Sequence, residues 1–222
     1  HMLLSPIPPS FRDPAYPLPQ NAFSLRPGGI EPAGPGVTLS WLPVSEKPTV
    51  YLTLGTVFNM ESGDLFVRVL AGLREMPINI IVTVGRDIDP ELLGPQPDNV
   101  HIEGYIPQSA LLPHCDLVVN HAGSGSVIGA LAYGLPMVVI PMGADQPLNA
   151  ARCEQLGVGI ALNAVRATPE TVREAVTSIL ENSTYRVAAE RIRDEIAALP
   201  EPGAAVPLLE RLVGEPGAAP PE

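Results

Sequence analysis

His121, Ser124, Ser126, Asp145 and Gln146 share one short stretch, HAGSGSVIGALAYGLPMVVIPMGADQ. Together they offer an imidazole, two hydroxyls, a carboxylate and an amide. Gly123 and Gly125 let a backbone bend tightly and approach a ligand with no Cβ in the way. Amides that open a helix at this point face outward with the positive end of the helix dipole. His121, Gly123, Ser124, Gly125 and Ser126 would therefore suit a diphosphate, held without Lys, Arg or a metal ion. A structural strand-to-helix turn with a capping serine uses the same residues, and spacing alone leaves both readings open. Asp145 and Gln146 could hydrogen-bond vicinal sugar hydroxyls, since each offers paired acceptors or donors. The competing reading makes Asp145 a helix N-cap with Gln146 in the first turn.

Other chemistries fit less well. Gly123, Gly125 and Gly129 resemble a dinucleotide fingerprint with Asp145 as its acid, but that pattern normally opens the first strand-helix unit. A hydrolase elbow needs glycine two residues either side of its serine, and Ser124 has Ala122 and Ser126 there. In GYIPQ, residues 104–108, Tyr105 offers a stacking face and Ile106 exposes backbone groups before Pro107 diverts the chain. An aromatic at a strand end is also a common core residue. Thr56, ending LGT, could reach a phosphate or serve as a turn hydroxyl. Asp89 in the DID run reads as a helix cap before Pro90 rather than a metal ligand. His101 and His114 stand without ligand spacing and read as ordinary residues.

These residues need elements to hold them. TVYLTL (49–54), INIIVTV (78–84), NVHIEGY (99–105), DLVVN (116–120), PMVVIP (136–141) and GVGIAL (157–162) read as buried strands. Helices are expected at 62–75, 124–134, 146–156, 169–181, 184–198 and 204–213. Near-continuous apolar strands alternating with helices imply an α/β fold, a doubly wound parallel sheet of about six strands covered on both faces. Such sheets place ligands at the carboxyl ends of strands, beside helix N-termini.

The chain has 222 residues, 45% of them hydrophobic and 17% charged, so a packed core is expected. Its formal charge of −11 argues against nucleic acid or an anionic membrane as partner, because phosphate backbones attract clustered Lys and Arg. No apolar run is long enough to span a bilayer. Cys115 and Cys153 lack a CxxC partner and read as buried thiols; with no signal peptide apparent, a cytoplasmic location is expected. The 27 prolines cluster towards both ends. Residues 1–40 are expected to hold a tag scar, His1-Met2, the edge of a preceding domain and a Pro/Gly-rich linker, with Trp41 and Leu42 anchoring its end. Residues 41–199 form the globular part, and 200–222 a helix and Pro-rich tail.

Taken in order, YLTLGT, GYIPQ, LLPHCDLVVNHAGSGS and GLPMVVIPMGADQPLNAARCEQLGVG resemble the carboxyl-terminal half of GT-B glycosyltransferases, over residues 49–199. The similarity is to inverting enzymes that use nucleotide sugars. It implies that His121 and Gly123 to Ser126 bind the donor diphosphate, with Thr56 near the phosphates. Tyr105 would stack on a pyrimidine and Ile106 pair with its edge, while Asp145 and Gln146 read the sugar. Many users of uridine diphosphate sugars carry a glutamate eight residues after the motif histidine, where it grips the ribose; here that position is Gly129. The loss matters least for deoxyribose, so the resemblance implies a dTDP-deoxysugar donor, no metal and no other cofactor, as in bacterial enzymes that decorate natural products. The family's catalytic base and acceptor pocket lie in an amino-terminal domain that this sequence does not resemble. The expectation is a fragment that binds nucleotide and transfers nothing. A UDP-sugar transferase, a sugar-nucleotide epimerase and a non-catalytic nucleotide-binding module are the alternatives. Whether a homodimer or an auxiliary activator protein is involved stays open.

Overall fold

The computed structural model describes residues 1–28, 39–42, 46–55, 63–86 and 88–214. Two short strands come first, β1 (Leu3–Ser5) and β2 (Ala22–Ser24). The sequence continues through β3 (Thr49–Thr53), α1 (Leu65–Leu73), β4 (Asn79–Thr83), β5 (Val100–Glu103), α2 (Gln108–Leu111) and β6 (Leu117–Asn120). Then come α3 (Ser124–Ala132), β7 (Met137–Val139), α4 (Gln146–Gln155), β8 (Gly159–Ala161), α5 (Pro169–Glu181), α6 (Ser183–Ala198) and α7 (Val206–Gly214). All six strands expected of the sheet are present. They pair in parallel in the order β5-β4-β3-β6-β7-β8.

That order reverses between β3 and β6, the switch point of a doubly wound sheet. Alternation of side chains along each strand makes two cores. Val50, Leu52, Leu117 and Val119 face α1 and α5 on one side; Tyr51, Val118, Met137 and Val139 face α3, α4 and α6 on the other. Both faces are covered, which is why the strands carry so little polarity in their middles. Their carboxyl ends are different: Thr53, Thr83 and Asn120 are polar and buried there. Glycines 123, 125 and 129 follow the fourth strand of this sheet in chain order, not the first, so they do not stand where a dinucleotide fingerprint does.

Local signals set the helix ends. Thr168 and Thr171 form a reciprocal capping box on α5, with Pro169 opening the helix. Asp89 accepts from the Glu91 amide, at 3.0 Å, and caps a 3-10 turn at Pro90–Leu93, the role its place before proline suggested.

The proline-rich start is not a plain connector. β1 and β2 pair in parallel away from the main sheet, between prolines that bound them rather than interrupt them. Arg152 of α4 donates to the carbonyls of Ser10 (2.6 Å) and Phe11 (3.1 Å), and Glu195 of α6 accepts from the Ser10 amide (2.9 Å) and hydroxyl. Arg26 adds a bond to the Ala197 carbonyl, 2.8 Å. Trp41 stacks on His101 with ring centroids 3.7 Å apart, and His101 meets Glu103 at 2.8 Å. His101 is thus the platform for the Trp41 anchor, a partner that sequence spacing does not reveal. Among the described residues no helix is long and apolar enough to cross a membrane.

Arg152→Ala and Glu195→Ala should free the first 28 residues without melting the sheet. Amide exchange at Leu4 and Phe11 is expected to quicken at least tenfold while β6 keeps its protection; uniform loss of protection would mean that the segment is part of the core.

Candidate functional site

At the switch point the carboxyl ends of β3, β4, β5 and β6 open into a cavity of about 460 Å³. Tyr51, Thr53 and Thr83 form its floor, Tyr105 and Ile106 one wall, and His121 with the start of α3 the other. Asp145 and Gln146 close it from the end of β7. The fold therefore gathers Tyr105, Ile106, His121, Gly123, Ser124, Gly125, Ser126, Asp145 and Gln146 around one space. Thr56 lies outside the described residues; its neighbour Gly55 lines the cavity.

His121 follows directly on β6 and is mostly buried. Its Nδ1 is enclosed with no partner among the described residues, so Nε2 is the nitrogen that can serve the cavity. Burial lowers its pKa below the ordinary imidazole value, and the Asp145 charge opposes this only in part. A neutral ring with its proton on Nε2 would offer the cavity a hydrogen-bond donor. The ring fits because its neighbours lack side chains. A Cβ on Gly55 would lie 2.6 Å from the imidazole, and one on Gly123 closer still.

This corrects the role read for Gly123. Its φ is −64°, open to any residue, and the left-handed turn is made instead by Ala122 at φ 64°. Gly123 is needed for the room it leaves His121. At Gly125 a Cβ would meet nothing within 4 Å, so the backbone there faces open space.

Helix α3 begins with no side-chain cap, so the capping-serine alternative is not what is built. The first helical amides have no acceptor one turn back. Ser124 turns its hydroxyl to Asp145 Oδ2, at 2.6 Å, which makes it a partner of the carboxylate rather than a free donor. The amides of Gly125 and Ser126 remain without acceptors among the described residues. Ser126 is buried, and its hydroxyl accepts from Gln108 Nε2 at 3.1 Å.

Asp145 does not cap α4 with its side chain. Its carboxylate is exposed to the cavity and accepts from Ser124 and from Asn149 Nδ2, at 2.9 Å. The Ser124 hydroxyl first, then Asn149 and nearby backbone amides, hold its pKa below the usual carboxylate value. Gln146 is buried, and its Oε1 accepts from the amides of Met142 (2.7 Å) and Gly143 (3.1 Å). Half of its amide thus shapes the loop, leaving Nε2 for a ligand. Tyr105 is 48% exposed, not core. The Arg86 guanidinium stands 4.3 Å from its ring centroid and covers one face, leaving the other for a flat partner.

Three contributors were not legible as site residues: Arg86, Gln108 and Asn149. Asn149 carried a signal, four residues beyond Asp145 on a helix and hence on the same face. Gln108 stood at the end of GYIPQ with no assigned role. Arg86 gave none, because only the pairing of β4 with β5 brings it to Tyr105. The thiols of Cys115 and Cys153 are buried and pushed up to about 12, so they stay protonated and take no part.

The fold and this cavity define the carboxyl-terminal half of a GT-B glycosyltransferase. Residues 67–212 match the erythromycin biosynthesis protein CIII-like, C-terminal domain, and the chain belongs to that family. It is 36% identical over 208 residues to 4'-demethylrebeccamycin synthase of Lentzea aerocolonigenes, covering 92% of this chain and 48% of the relative. It is 36% identical over 182 residues to 3-alpha-mycarosylerythronolide B desosaminyl transferase of Saccharopolyspora erythraea, covering 81% and 43%. The chain spans about half the length of these curated relatives. Among solved structures, spinosyn rhamnosyltransferase SpnG complexed with thymidine diphosphate superposes with a TM-score of 0.84 at 26% identity, over 94% of this chain and 56% of that one.

The lowered His121 pKa has a signed consequence. The unfolded chain takes up this proton more readily than the folded one, so the stability involved is present above about pH 6.5 and is lost as pH falls below it. Replacing His121 with Gln should flatten the urea midpoint between pH 7 and pH 5; an unchanged slope would place the acid sensitivity elsewhere.

Proposed function

We propose that this domain holds a nucleoside diphosphate sugar, a dTDP-deoxysugar in the reading favoured here, for transfer to a hydroxyl of a small natural-product acceptor. The observation that carries the proposal is the joining, in one cavity, of a neutral buried His121, the open amides of α3 and the Asp145 carboxylate. The diphosphate lies against Nε2 of His121 and the Gly125 and Ser126 amides. The developing charge on the leaving diphosphate is stabilised by these fixed donors, without a metal. Asp145 and the Gln146 Nε2 take the sugar hydroxyls. The free face of Tyr105 takes the base, with the Ile106 backbone at its edge.

In the whole transferase the acceptor oxygen attacks C1 of the sugar from the face opposite the diphosphate. The new C1–O bond forms as the bond from C1 to the phosphate oxygen breaks, inverting the anomeric centre. The acceptor proton passes to a base supplied from outside this domain, so the domain alone binds donor and transfers nothing. The names of its relatives support this substrate class: a desosaminyl transferase, and a rhamnosyltransferase seen with thymidine diphosphate.

The preference for deoxyribose rests on Gly129. It lines a second cavity, about 310 Å³, that shares Gln108, Ser124 and Gly125 with the first. A Cβ at Gly129 would lie 3.5 Å from the Gln108 Oε1 and 3.6 Å from Leu112, ordinary contacts. The backbone at Gly129 therefore has room for a Cβ, and the position offers no carboxylate because it carries no side chain.

Calorimetric titration without added metal separates the readings. dTDP is expected to bind more tightly than UDP, and NADP⁺ not to bind. Preference for UDP would keep the transferase and remove the deoxysugar donor; tight NADP⁺ binding alone would overturn both. His121→Ala should weaken dTDP and a dTDP-hexose alike, by roughly tenfold or more for a lost charge-assisted bond. Asp145→Ala should weaken only the dTDP-hexose. Gly129→Glu should keep the fold and raise the affinity for UDP relative to dTDP; an unchanged ratio would separate Gly129 from ribose selection.

A further inference from the structure

Ala122 is a fully buried residue with a Cβ in a left-handed conformation, φ 64°, which L-residues other than glycine rarely hold. Both of its peptide groups are taken. Its amide donates to Asn120 Oδ1 at 2.7 Å, and its carbonyl accepts from Asn149 Nδ2 at 2.9 Å. Asn120 belongs to the strand just left; Asn149 comes from α4, across the cavity mouth. The same Nδ2 reaches Asp145 Oδ2 at 2.9 Å and Ser124 Oγ at 3.1 Å. With two protons for three acceptors, its bonds run to Ala122 and Asp145 and are shared with Ser124.

Ala122 lies between His121 and Gly123, so its dihedrals set how the imidazole leaves β6 and where the open amides of α3 begin. A residue in a sparsely populated conformation persists only where its surroundings over-determine it. Asn120 alone fixes the entry side of the turn. Asn149 fixes the exit side and ties it to the carboxylate that closes the cavity.

We propose that Asn149 is a positioning residue for both halves of the donor: it holds Ala122 in the turn that aligns His121 with the α3 amides, and it sets the Asp145 carboxylate against Ser124. The assignment rests on the donor-binding reading above. It makes no demand that Asn149 touch the ligand. It differs from a merely structural asparagine in coupling the diphosphate and sugar groups through one side chain.

The test is a double-mutant cycle on the 222-residue chain: Asn149→Ala, Ala122→Gly and the pair, read by urea denaturation and by affinity for dTDP and a dTDP-hexose. Glycine adopts the left-handed turn freely, so Ala122→Gly removes the need for a hold. Asn149→Ala should weaken dTDP binding by roughly tenfold. Adding Ala122→Gly should return most of that loss and most of the lost stability. The dTDP-hexose should recover less than dTDP, because Asp145 stays unheld. Additive stabilities in the cycle would overturn the hold on Ala122, and equal recovery of both ligands would overturn the hold on Asp145. If the stabilities couple but the unmutated chain binds neither ligand, the hold on Ala122 stands and the donor reading of the cavity falls.

Discussion

An imidazole packed between two bare α-carbons is the constraint from which the site takes its shape. Thr53 of β3 pairs with Asn120 of β6, and beyond that pair Gly55, two residues on, comes against the ring of His121. The helices that follow these two strands pack on opposite faces, α1 with α5 and α3 with α6. Between them the sheet's carboxyl edge stays uncovered, and His121 stands in that gap. A methyl group on either Gly55 or Gly123 would occupy the ring's own volume. Close packing thus fixes the donor's direction, and burial keeps it neutral.

The electrostatics follow from that enclosure. Among the described residues the cavity lining holds no Lys or Arg, with Arg86 set over the Tyr105 ring, and the chain carries a formal charge of −11. What the described lining offers a ligand is fixed dipoles: the open amides of α3 and the Nε2 side of the His121 ring. Dipoles of this kind act over a short range, within the first helical turn. They need no flexible charged side chain to be ordered. Among the described residues of the wall Asp145 is the one negative group, and it is tied to Ser124 at the start of α3 and to Asn149 of α4. The floor is equally settled, because the Tyr51 hydroxyl, buried and raised to about 12, meets Thr83 Oγ1 at 2.7 Å. A polar floor with its bonds already made leaves the side walls to choose the ligand.

Much of this was legible beforehand. The six strands were visible as short apolar runs, and α5 as a proline-started periodic segment whose bounds, 169–181, hold in the structure. The cluster of His121, Ser126 and Asp145 was visible because the turn and the next strand end are close in sequence as well as in space. The roles inside the cluster were less so. Ser124 reads as a phosphate donor until its hydroxyl is seen on Asp145, and Gln146 reads as wholly a sugar ligand until its Oε1 is seen holding the loop. Gly123 looks like the flexible residue of the turn, yet Ala122 makes the bend. β1 and β2 were hidden among prolines, since strands of three residues are too short for alternation to speak.

The sequence by itself determined the α/β class, the number of strands in the sheet and the stretch that carries the site. Those follow from local hydrophobic period and from turn residues, which act over a few neighbours along the chain. Only the tertiary structure decided which groups meet: Arg86 over Tyr105, Asn149 on Ala122, Trp41 on His101, and Gly55 beside His121. Such meetings depend on strand order and register, and these are chosen by the packing of two whole cores. No stretch of the sequence taken alone contains that information.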